Sequence, residues 1–139
     1  MGRSRVTVRD RGFWAADAAL EVWLHLLAVE VRRLPGAPQW LRRAGGHWDE
    51  QAHGGFVGCV SPALDEHVGD DADRAALLLR VGRGARDALA ARGPVLTADA
   101  LNDLGVGTAG DVFLRDVDAG PFLAVADAFL DLLRGHPQP

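Results

Sequence analysis

Lysine, isoleucine and tyrosine are missing from this chain of 139 residues, and cysteine occurs once. A single thiol, Cys59, excludes an internal disulfide and any zinc site built mainly from thiolates. All fifteen basic residues are therefore arginine. Lysine, isoleucine and tyrosine have AT-rich codons, whereas alanine, glycine, arginine and proline have GC-rich ones. The absences thus imply a GC-rich, bacterial genome before they imply any chemistry. A charge-free run long enough for a membrane is also lacking. The most apolar stretch, residues 13–34, contains Asp17, Glu21, His25 and Glu30, and each would cost roughly 2–3 kcal/mol at a bilayer centre. That stretch has no signal-peptide cleavage pattern, and position six is Val where a myristoylation signal wants Ser/Thr. The expected compartment is the cytoplasm.

One sign of charge does not dominate. The net charge is -4, but it is segregated. Residues 1–43 carry eight Arg against four acids, residues 44–79 one Arg against seven, residues 80–95 four against one, and residues 96–139 two against seven. Alternating blocks suit segments that neutralise one another on packing. They do not make the continuous basic stripe of a nucleic-acid binder.

What is present reads as helix. The stretch 13–34 is apolar on most of its circumference, as for a helix surrounded by others. Asp17, Glu21 and His25 step by four and form one polar seam. A turn at Pro35-Gly36-Ala37-Pro38 leads to a second helix over 39–53, weakened by Gly45-Gly46. Residues 56–60 read as a loop packed on the core. Ser61 caps a short helical turn over 62–68, and a long helix covers 71–92. In that helix Gly82 permits the close approach of a neighbour, at about 1 kcal/mol of propensity. Thr97 is an N-cap, with Leu96 and Leu101 as its staple. Residues 105–119 are loop, with Val112-Phe113-Leu114 as an anchor. Pro121 opens a last helix to about residue 134. The fold expected is all-α: a single-domain irregular helical bundle of about four main helices plus short helical turns. Residues 1–12 are expected as a flexible arm, 13–134 as the helical domain and 135–139 as a disordered tail.

Several patterns bear on function. Glu50-x-x-His53 has the spacing of carboxylate-histidine metal sites in helix bundles. With Glu21 and His25 on the first helix, and His47 nearby, it would give a mixed N/O shell suited to Zn, Fe or Mn. A second E-x-x-H is lacking, so a di-metal site is not expected. Cys59 between valines reads as core. The G-x-G-x-x-G at 105–110 follows a helix and precedes aspartates, the wrong setting for a dinucleotide. The echo of a helix-turn-helix at 100–108 is followed by a Gly-rich, acidic segment that would repel phosphate. Trp40, Trp48, Asp65 and Glu66 are the candidate partner-binding residues, tryptophan being enriched in interface hot spots. No catalytic constellation is evident. The leading expectation is a small soluble regulatory module that binds a partner protein, in the manner of an immunity or antitoxin-like inhibitor. The alternative is a metal- or small-molecule-binding bundle enzyme using Glu21, His25, Glu50 and His53. DNA binding ranks last.

Overall fold

The computed structural model describes residues 2–106 and 113–135. The chain is mostly helical, with two small antiparallel sheets. Its first element is not an arm. Strands β1 (Arg3–Val8) and β2 (Arg11–Ala16) form a hairpin in which Arg5 pairs with Trp14 and Val8 with Arg11. Along β1 burial alternates: Ser4, Val6 and Val8 point inward and Arg3 and Arg5 outward, as the period of a strand requires. Arg9 closes the turn in the left-handed region (φ 58°). Two acids of the 44–79 block hold it there. Asp65 accepts the Arg9 backbone N–H at 2.7 Å, and Asp70 pairs with the Arg9 guanidinium.

Helix α1 accordingly spans Asp17–Arg33 and not 13–34. Trp14 falls on β2 and is 57 % exposed, whereas a helix from residue 13 would have buried it. Asp17 joins strand to helix from inside the fold. Its carboxylate accepts from the Ser4 hydroxyl at 2.5 Å and the Gly58 N–H at 2.7 Å, while Ser4 Oγ accepts from Val60 N–H. Helix α2 (Gln39–His53) runs unbroken through Gly45-Gly46. Gly45 faces α1, where a Cβ would lie 3.0 Å from Val31 Cγ1, so its missing side chain lets the two helices close.

The remaining helices are α3 (Leu64–His67), α4 (Ala72–Ala90), α5 (Ala98–Asp103) and α6 (Gly120–Leu133). The expected turn over 62–68 shortens to α3, entered through Ala63 in the left-handed region. Asp71 caps α4 and Thr97 caps α5, each through its side-chain oxygen, and proline stands in the first turn of α6. Gly82 of α4 sits under Leu130 of α6, the close approach its place in the sequence suggests. Strands β3 (Val95–Leu96) and β4 (Val117–Asp118) pair on either side of α5 in the chain. The core is continuous. Trp23, Leu20, Leu24 and Leu27 of α1 meet Trp48 of α2, Leu78 and Leu89 of α4 and Phe129 of α6, with Phe129 edge-on to Trp23 at 5.5 Å.

The ion pairs divide between and within the charge blocks, with Arg33–Glu30, Arg74–Asp71 and Arg134–Asp131 each inside one block. Arg9–Asp70 and Arg32–Asp49 join the first basic block to the first acidic one, and Arg86–Asp127 joins the second pair. Of residues 56–60 only Val60 is buried. Phe56, Val57 and Cys59 are exposed, because the chain turns at Gly55 and Gly58 before Val60 reaches the core. Phe113 packs against the core while Leu114 is exposed; Val112 lies outside the described residues, as do most of the G-x-G-x-x-G, the segment after the helix-turn-helix echo, and residues 136–139. No helix among the described residues is long and apolar enough to cross a membrane.

Candidate functional site

Burial of Leu41, Ala44, Gly45, Trp48 and Ala52 sets the face that α2 turns to the core. At 100° per residue, positions 49 and 53 flank that face and position 50 points away. Glu50 is therefore exposed, and the carboxylate that accompanies His53 is Asp49. Close packing of α1 on α2 then brings His25 alongside. Its Nδ1 lies 3.3 Å from His53 Nε2, with the rings edge-to-face. One ligand atom from each of His25, Asp49 and His53 lies within 4.8 Å of the others. Glu21, one turn earlier on α1, is buried and outside this group.

A third element completes the cluster. Leu104, at the C-terminal cap of α5, turns its carbonyl oxygen to within 3.2 Å of His53 Nε2. The other nitrogen of His53, Nδ1, faces the Asp49 carbonyl oxygen at 2.8 Å. A carbonyl only accepts, and a neutral ring has one N–H for these two carbonyls; with the proton on Nδ1, toward the nearer Asp49 oxygen, Nε2 presents a lone pair. Burial first, and then the neighbouring His53, hold the His25 imidazole below its ordinary pKa. The His25 ring thus favours the neutral form that can donate a lone pair. Arg32 is 3.7 Å from the Asp49 carboxylate on the outer side.

His47 does not join this group. It pairs with His67 of α3, Nδ1 to Nε2 at 3.3 Å. His67 is buried, edge-on to Trp48. Burial, then His47, lowers its pKa as well. Of the residues considered for a partner, Trp48 is fully enclosed and donates its indole N–H to the Pro62 carbonyl, which withdraws it from any surface. Trp40 is half-buried under the Arg74 guanidinium, 5.0 Å from the ring centroid. Asp65 and Glu66 are exposed, and Asp65 is already engaged by the hairpin turn.

The exposed apolar surface lies elsewhere. Trp14 stands on the outer face of the hairpin with the Arg5 guanidinium over its ring at 5.9 Å. Beside it a cavity of about 360 Å³ opens between the hairpin and α6, walled by Phe13, Trp14, Ala19, Pro121, Ala124 and Ala128, with Arg3 among its lining residues. Val57, 73 % exposed, lies against Gly2 at the open end of the same hairpin. Sequence reasoning missed this face because it assigned Trp14 to a helix. The alternation of Ser4, Val6 and Val8 was the available signal. Family models, curated proteins and solved structures compared with the chain contain no match to it.

Proposed function

We propose that the protein acts as a small regulatory module that docks a partner protein, with the outer face of the β1–β2 hairpin as the docking surface. The observation that carries this reading is Trp14, a large aromatic left 57 % exposed beneath an arginine and beside an apolar cavity. Tryptophan and arginine dominate interface hot spots, and an exposed aromatic next to a concave apolar wall is their usual setting. Arg3 and Arg5 on the same face select an acidic partner segment that also offers an apolar side chain for the cavity. An immunity or antitoxin-like inhibitor of a bacterial toxin is the concrete form we favour, and its cytoplasmic setting belongs to the same proposal. Asp65 is engaged by the Arg9 backbone N–H, and this basic, aromatic face is favoured over the acids Asp65 and Glu66.

The test is site-specific photo-crosslinking in the native host. A crosslinker at position 14 or 57 should capture one protein in common, and Arg5→Glu should abolish that capture. A crosslinker at Val95, exposed elsewhere on the fold, should not capture it. Equal capture from positions 14 and 95, or none from 14, overturns the reading.

A further inference from the structure

We propose that His25, Asp49 and His53 bind a divalent transition-metal ion, with the Leu104 carbonyl as a fourth donor, and that the ion fastens the end of α5 to α1 and α2. The first support is the spacing. Two ligands held at roughly 2.0–2.1 Å from one tetrahedral ion stand about 3.3 Å apart, and His25 Nδ1 and His53 Nε2 are 3.3 Å apart. An Asp49 carboxylate oxygen lies within 4.8 Å of a ring nitrogen of each histidine.

The second support is the orientation of His53. A metal-ligating histidine ordinarily donates its other N–H to a carbonyl or carboxylate, which fixes tautomer and ring angle. His53 Nδ1 has such a partner, the Asp49 carbonyl at 2.8 Å. The third support is a further oxygen. The Leu104 carbonyl lies 3.2 Å from His53 Nε2, close enough to join the same ion. A proton on Nε2, donated to that carbonyl, is the competing occupant and would leave no place for a metal.

Two imidazoles, a carboxylate and a carbonyl form a borderline N/O set. That set suits Zn²⁺, Fe²⁺ or Mn²⁺ and is poorly matched to Cu⁺, which prefers sulfur. The ligands come from three elements, α1, α2 and the cap of α5, so the ion would act as a tertiary tie. The His47–His67 pair has the same nitrogen separation, but among the described residues no acid completes it into a group of three. It serves as an internal control.

The test uses the full chain, stripped with a chelator and titrated with zinc chloride in competition with a chromophoric zinc indicator. A parallel titration with cobalt chloride is followed in the visible. The expected result is one equivalent of either metal and the visible bands of a four- or five-coordinate N/O cobalt site. His25→Asn and His53→Asn should each weaken zinc by more than about 100-fold, and Asp49→Asn by about 10–100-fold, in line with what even outer ligand partners carry. His47→Asn should leave the affinity unchanged. Circular dichroism checks folding; Asp49, the most exposed of the three side chains, supplies the variant least able to disturb it. Absence of saturable zinc binding overturns the proposal in favour of the proton. So does binding that is lost in His47→Asn and kept in His53→Asn.

Discussion

Replacing Gly45 and Gly46 in turn by alanine separates packing from helix propensity at the α1–α2 contact. Both glycines lie inside α2, so each substitution gains about 1 kcal/mol of helix propensity. Nothing lies within 4 Å of a Cβ on Gly46, which is exposed. A Cβ on Gly45 would stand 3.0 Å from Val31 Cγ1 and 3.2 Å from Val31 Cβ. Valine in a helix has one strongly preferred rotamer, and its Cβ moves only with the backbone, so α1 and α2 would have to separate. Overpacking of that kind costs about 1–3 kcal/mol. Gly46→Ala should therefore raise stability by about 1 kcal/mol, and Gly45→Ala should leave it unchanged or lower it by up to about 2 kcal/mol. The variants should differ by about 1–3 kcal/mol in urea unfolding, or roughly 3–10 °C in Tm. Equal stabilisation by both would refute the packing of Gly45 on Val31, and with it the approach that carries His25 to His53.

Asp17→Ala leaves the buried Ser4 hydroxyl and the part-buried Gly58 N–H without their acceptor; a loss of about 1–3 kcal/mol in denaturant unfolding is expected. The protein should lose stability as pH falls from about 7.5 to about 5 with chelator present. His25 and His67 have lowered pKa values in the fold, so the unfolded chain takes up protons first, from near 6.5, and acid favours unfolding until the folded values are passed. Asn at both positions should flatten that slope, and an unchanged pH profile would count against it. If zinc binds only the folded form, a hundredfold excess over Kd should stabilise the wild type by about 2.7 kcal/mol and the His53→Asn variant far less. Trp14→Ser should alter stability by no more than about 0.5 kcal/mol, as expected of an exposed side chain, while removing the crosslinked partner.

Helices with caps were legible in the sequence. Asp71, Thr97 and Pro121 each mark a start through local chemistry, and Gly82 declares a close contact by interrupting an apolar face. The hairpin was not. Its turn, Arg9-Asp10, lacks the Asn-Gly or Gly-Gly that announces a tight turn, and one inward position of β1 is the polar Ser4, which is buried because Asp17 satisfies it. The choice of Asp49 over Glu50 follows from the angle of α2 on α1, which the Glu-x-x-His spacing does not contain. Leu104 takes part through its backbone carbonyl oxygen, so side-chain chemistry carries no trace of it. Four histidines separate into two pairs, His25–His53 and His47–His67, only once the helices are packed.

The claim that helix packing assembles a ligand set from His25, Asp49 and His53 meets its most direct test in crystals of the zinc-loaded protein. Anomalous difference maps on either side of the zinc absorption edge would show whether an ion is held there. The account predicts a single strong peak between His25 Nδ1 and His53 Nε2, within bonding distance of Asp49. No peak at that position, or one at His47 and His67 instead, would contradict it.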